Sequence, residues 1–183
     1  MSNVLLYPFR IDTDFRAGYA WSVELARRLK LRLSLFTTII TTSTEPVADI
    51  YRALADAQGY YVKNFEVLHL RLKPVKSQRN FLEGEFVKTF YDFTNQNPPH
   101  IIVMQSDMFS NEVMKGVIDS GKKVIVLPSN EILKISTGKK SRAQLFITML
   151  QSAALYNIPA SFFKTVSEDT SLFNSIAAFF RRG

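Results

Sequence analysis

The chain has 183 residues, 46% of them apolar, which is enough to bury one sizeable core but short for two, so a single domain over 1–183 is expected. With no cysteine and two histidines, His69 and His100, it lacks the ligands for disulfides, thiolate zinc sites and cysteine nucleophiles, and a histidine-based metal site or triad is not expected. No stretch reaches the roughly 18 uninterrupted apolar residues of a membrane helix, and MSNVLLYPFRID lacks a basic head and meets Arg10 and Asp12 too early for a secretory leader, so a cytoplasmic protein without a membrane contact is expected.

Val4 to Phe9 is an apolar run of strand length. A helix follows from about Asp14 to Leu29, with Ala17, Trp21, Leu25 and Leu29 stepping by four and small Gly18, Ser22 and Ala26 beside them. Leu31 to Ile40 is the second strand. The turn TTSTEP ends in Pro46, which suits a first helical turn, and Val47, Ile50, Tyr51, Leu54, Gln58 and Tyr61 trace a second helix. Glu66 to Leu72 alternates Leu68, Leu70 and Leu72 against His69 and Arg71, predicting a third strand at a sheet edge. Next comes a helix carrying Leu82, Phe86, Phe90 and Phe93.

Ile101 to Met104 and Val124 to Leu127 are unbroken apolar runs, as central parallel strands covered on both faces require. Between them Val113, Met114, Val117 and Ile118 mark a helix that Gly121 ends. Beyond Pro128, Ser141 and Gln144 make a capping-box start for a helix to about Tyr156. Ile158 to Phe163 is a short strand that Pro159 assigns to an edge, and a last helix runs from about Thr170 to Arg182. The series predicts an α/β fold: an open, doubly wound, mostly parallel Rossmann-like sheet in the order 3-2-1-4-5, with a sixth strand at the edge and residues 129–183 as a helix-strand-helix extension.

In such a sheet ligands bind in the crevice at the carboxyl ends of strands one and four, where the winding reverses. The candidate residues there are Arg10, Asp12 and Asp14 after strand one, and Gln105, Ser106, Asp107 and Ser110 after strand four. The seven glycines form neither Gly-x-Gly-x-x-Gly nor a Walker loop, so no backbone cradle for a polyphosphate is visible. Asp12 and Asp14 suit helix capping better than acid-base or metal chemistry, and Ser110 reads as a cap with Glu112 in the first turn. Arg10 must snorkel to water, pair with a carboxylate or meet a ligand anion. The net charge of +7 is scattered over loops and helix ends, which speaks to solubility and makes a nucleic-acid partner the weaker reading.

The segment VLLYPFRIDTDFRAGYAWSVELARRLKLRLSLFTTI resembles the universal stress protein family, with Pro8 in the family's proline position and Glu24, Leu25, Ala26, Arg28 and Leu29 on its first helix. The order of elements to Pro128, including HIIVMQ and KKVIVLP, extends the likeness. In nucleotide-binding members an aspartate ending strand one contacts adenine; the matching residue here is Arg10, and Asp12 falls where serine is usual. Those members also carry Gly-x-x-Gly-x9-Gly-Ser/Thr after strand four, where this chain has QSDMFSNEVMKG. The resemblance thus implies a non-catalytic domain without an ATP cofactor, acting by assembly with itself or a partner, with a small anionic ligand in the crevice. A homodimer is expected from the helix at 141–156, which is apolar nearly all round. The alternatives are a phosphate-ester hydrolase using Asp12, Asp14 and Asp107 to hold magnesium, and a basic nucleic-acid-binding protein.

Overall fold

A computed structural model describes residues 3–39, 47–65, 75–133 and 142–159. Its centre is a six-stranded sheet in the order β3-β2-β1-β4-β5-β6. The strands are β1 (Val4–Pro8), β2 (Arg32–Ile39), β3 (Ser77–Glu83), β4 (Ile101–Gln105), β5 (Val124–Leu127) and β6 (Ala154–Tyr156). The helices are α1 (Arg16–Arg28), α2 (Val47–Asn64), α3 (Phe86–Gln96), α4 (Asn111–Asp119), α5 (Asn130–Leu133) and α6 (Arg142–Ser152). β1 to β5 are mutually parallel and β6 is antiparallel to β5, so the doubly wound α/β architecture read from the sequence is the one observed. Among the described residues no helix is long and apolar enough to cross a membrane.

The central strands earn their burial from composition. Every residue of β4 and nearly every one of β1 and β5 is buried, because helices cover both faces and any polar side chain there would need a partner. Side chains alternate across the sheet. Tyr7 of β1 points to the face of α1, where it meets Gly18. Phe36 of β2 points to the opposite face, packing its ring against Phe86, Phe90 and Phe93 of α3 at 5.1–5.6 Å between centroids. On the α1 face, Trp21 stacks on Phe146 of α6 at 4.7 Å and meets Phe65 edge-on at 5.5 Å, tying α6 to α1. Beneath this lies a buried ionic knot: Glu24 accepts from Arg27 and Arg28, and Tyr61 donates to it at 3.4 Å. The Arg28 guanidinium lies 4.0 Å over the Phe146 ring.

Three expectations need correction. The edge strand beside β2 is Ser77–Glu83, a polar segment that gains its place by backbone pairing along seven residues of β2; the strand predicted at 66–72 lies outside the described residues. Leu82 therefore belongs to β3, and α3 begins at Phe86, where Glu85 caps it by accepting from the backbone N–H groups of Val87 and Lys88. At the other edge, the helix predicted to run to Tyr156 stops at Ser152, and Ala154–Tyr156 pairs with β5 instead. An unpaired β5 edge needs hydrogen-bond partners, and that tertiary demand overrides the helical preference of Ala and Leu. Asn157 then turns the chain at φ 57° and donates from Nδ2 to the carbonyls of Ile118 and Lys122. Ile158 and Pro159 lie in no strand; residues 160–163 and the helix expected at 170–182 lie outside the described residues, as does the Ser141 cap.

Candidate functional site

The loops after β1 and β4 meet at the carboxyl end of the sheet, because β1 pairs with β4 and the winding leaves them in opposite directions. The first loop carries Arg10, Asp12 and Asp14, and it settles its charges locally. Arg10 clamps Asp12 through both Nε and Nη2, with Nε 3.0 Å from Oδ1. Arg16 clamps Asp14 in the same way at 2.8 and 2.7 Å, and its backbone N–H also donates to Asp14 Oδ1. The capping role expected for the two aspartates is corrected for Asp12, whose carboxylate turns back to Arg10; the N-cap position of α1 is Phe15, which makes no side-chain cap, and it is Asp14 that accepts from the backbone N–H of the first helical residue, Arg16. The Arg10 hydrogen bond holds the Asp12 carboxyl below its usual range and raises the guanidinium. Both side chains remain about half exposed, so water screens the pair.

In the second loop Ser110 is the N-cap of α4, accepting from the Val113 backbone N–H at 3.4 Å, with Glu112 in the first turn as expected. Ser106 joins the sheet through its backbone N–H, which donates to the carbonyl of Leu127 at 3.0 Å. Asp107 acts at a distance on Tyr7. Between these polar residues the same loops bury Phe9 and Phe15 on one side and Met108 and Phe109 on the other. The Phe9 and Phe15 rings lie 4.6 Å apart, and Phe109 packs on Phe86 at 5.0 Å. Among the described residues no three carboxylate or imidazole groups gather where they could hold a metal ion.

Gln105 sits deeper than the sequence suggested. It is fully buried at the end of β4 and shares a polar seam with Tyr7 and Gly18. The Tyr7 hydroxyl lies 3.2 Å from the Phe15 carbonyl oxygen and 3.3 Å from Gln105 Oε1, while Gln105 Nε2 has no partner among the described residues. One hydroxyl proton cannot serve two acceptors; with the amide turned over, Nε2 donates to Tyr7 Oη and the hydroxyl is free for Phe15. Burial, then the nearby Asp107 and Asp14 carboxylates, push the Tyr7 phenol well above its ordinary value of 10.0, so it stays protonated. In the sequence Tyr7 reads only as part of the first strand and Gly18 only as a small residue beside the stripe of the first helix. The available signal was a tyrosine inside an otherwise apolar strand and a glycine in mid-helix. The crevice presents to solvent two arginine-aspartate pairs together with Asp107 and Ser110, over a floor of Phe9, Phe15, Met108 and Phe109.

No protein-family model matches the sequence, and no curated protein matches it. In structure, a universal stress protein in complex with cAMP aligns at a TM-score of 0.51 and 12% identity, over 69% of this chain and 97% of its own. A protein of the universal stress protein family from Burkholderia pseudomallei aligns at 0.46 and 15% identity, over 69% and 96%. With its strand order, its crossovers and that alignment, the chain has the fold of the universal stress proteins.

Proposed function

We propose that the protein is a non-catalytic universal-stress-protein-like domain of the cytoplasm that works by assembling with itself, as a homodimer, and that its crevice does not take ATP as a cofactor. The observation that carries this reading is the paired clamping of Asp12 by Arg10 and of Asp14 by Arg16. A magnesium-phosphate site needs carboxylates that leave a net negative charge for the cation. Here the charges of Arg10, Asp12, Asp14 and Arg16 sum to zero, so the first loop attracts neither a divalent cation nor a polyphosphate strongly, and the hydrolase alternative loses two of its three carboxylates, Asp12 and Asp14, to arginine clamps. A small monoanion that displaces Asp12 from Arg10 is the ligand chemistry left to this crevice.

Assembly is supported by the sheet edge. β6 is three residues long, and Leu155 and Tyr156 are 41% and 38% exposed, an apolar fringe beside a row of backbone groups that is open among the described residues. The test has two parts. Calorimetry with ATP, and with cAMP because a structural neighbour is in complex with it, is expected to show no binding at micromolar concentration with or without magnesium. Sedimentation at micromolar protein is expected to give a dimer that Leu155→Lys converts to monomer; a monomeric wild type would remove the assembly reading, and a tight nucleotide complex would remove the other.

A further inference from the structure

At the opposite end of the sheet from the crevice lies a cavity of about 320 Å³, on the α3 face. It exists because one helix must cover a wide floor. α3 crosses from β3 to β4 over two intervening strands, and its Phe86, Phe90 and Phe93 are gathered over Phe36. The amino-terminal halves of β1 and β2 are left beneath it with a mixed lining: Val4, Leu6 and Phe93 are apolar, and Arg32 and Ser34 are polar.

The polar side of this cavity has a direction. On β3 the Gln78 amide donates to Asn80 Oδ1 at 3.1 Å. Asn80 Nδ2 donates both to the Leu35 carbonyl at 3.1 Å and to Ser34 Oγ at 2.8 Å. A carbonyl oxygen can only accept, so the Leu35 contact fixes which way the Asn80 amide faces, and Ser34 Oγ must be an acceptor in that bond. Ser34 is 5% exposed, lines the cavity, and its hydroxyl proton reaches no acceptor among the described residues. The chain of donors Gln78, Asn80, Ser34 therefore ends in a proton offered to the cavity, each bond polarising the next. Two residues earlier on the same face of β2, the Arg32 guanidinium lines the same space and makes no ion pair or hydrogen bond among the described residues.

A buried hydroxyl donor beside a guanidinium with no partner among the described residues calls for an acceptor that carries charge, and the apolar walls call for a hydrophobic body. The carboxyl end of α3 adds a partial negative charge through Gln96 and Asn97, but it amounts to about half an electron at most and the Phe93 carbonyl is already used by Asn97. We propose that this cavity binds a small carboxylic acid with a flat or branched apolar body, its carboxylate held by Arg32 and Ser34 and its body laid on Val4, Leu6 and Phe93. The site is independent of the crevice and of any assembly at β6.

The test is a titration of the full chain with benzoate, followed by amide chemical shifts, with benzamide and benzylamine as neutral and cationic counterparts. Benzoate is expected to give saturable shifts at Arg32, Ser34, Gln78 and Asn97, with benzamide and benzylamine weaker by about tenfold or more. Arg32 is exposed, so Arg32→Gln should fold normally and weaken benzoate about tenfold, and Ser34→Ala should weaken it severalfold. Absence of saturation, shifts confined to the Arg10–Asp14 and Ser106–Ser110 loops, equal binding of benzamide or benzylamine, or benzoate affinity unchanged in Arg32→Gln would each overturn the proposal.

Discussion

Gly18 offers the sharpest perturbation, because a single methyl group there meets the buried polar seam head-on. A Cβ built at this position would overlap Gln105 Oε1 and Tyr7 Oη and lie 3.1 Å from Tyr7 Cζ. Both side chains are fully buried and anchored on rigid strands, so neither can swing into solvent to make room. Overpacking costs about 1–3 kcal/mol and a stranded buried hydrogen-bonding group about another 1–3, against about 1 kcal/mol gained from alanine's better helix propensity. Gly18→Ala should thus lose about 3 kcal/mol, a drop of roughly 6–12 °C in melting temperature for a chain of this size. Urea unfolding followed by circular dichroism measures it, and the double variant with Tyr7→Phe should recover about 1 kcal/mol or more of the loss, since the hydroxyl is one of the two atoms struck. A Gly18→Ala protein as stable as the wild type, or more stable, would refute the close approach of α1 to the Tyr7–Gln105 seam.

Three further substitutions probe other parts of the molecule. Glu24→Ala removes the 3% exposed carboxylate that Arg27 and Arg28 share, beside the Phe146 ring that Arg28 covers, so it should cost about 3–5 kcal/mol in the same urea experiment, whereas a loss below about 1 kcal/mol would show that water already reaches the knot. Tyr7 is raised by burial, then by Asp107 and Asp14, and for a raised acid the stabilisation is complete below the unfolded value near 10.0 and falls as pH rises above it; Tyr7→Phe should abolish that part of the alkaline loss in melting scans, and an unchanged alkaline limb would contradict the burial. Arg10→Ala breaks a pair that is half exposed on both sides, so the melting temperature should move by less than the equivalent of about 1 kcal/mol; a larger loss would mean that Arg10 holds the first loop in place.

The central strands and α1 were legible in the sequence because burial on both faces leaves a continuous apolar run and burial on one leaves a period of about four. β3 was not. Ser77, Gln78 and Arg79 face water, so the segment carries no apolar alternation, and its place is set by the pairing of Leu33 through Ile39 with Ser77 through Glu83. β6 was hidden for the opposite reason: Ala154 and Leu155 continue the apolar run of the preceding helix, and only the open edge of β5 tells them to extend. The address of the crevice followed from topology alone. The partners inside it did not, since whether Asp12 caps a helix or clamps Arg10 depends on the turn at 11–13, which a one-dimensional pattern does not encode. The cavity beside Arg32 was equally invisible, because it arises from how far one helix of eleven residues reaches across four strands.

The antiparallel tail on β5 also has a consequence in time. β6 is held by three residue pairs, Val124 with Tyr156, Ile125 with Leu155 and Val126 with Ala154, and all three of its side chains are exposed, whereas β1, β4 and β5 behind it are packed on both faces. Opening such a strand exposes little apolar surface and breaks few bonds, so it belongs to the low-energy end of the protein's spontaneous fluctuations. The sheet therefore has a permanent interior and an intermittent border. Whenever β6 opens, β5 is the rim of the described sheet, its edge backbone groups unpaired until β6 closes again. In deuterated solvent, amides whose protection depends on the β5–β6 pairing will exchange while those of β1 and β4 still hold their protons.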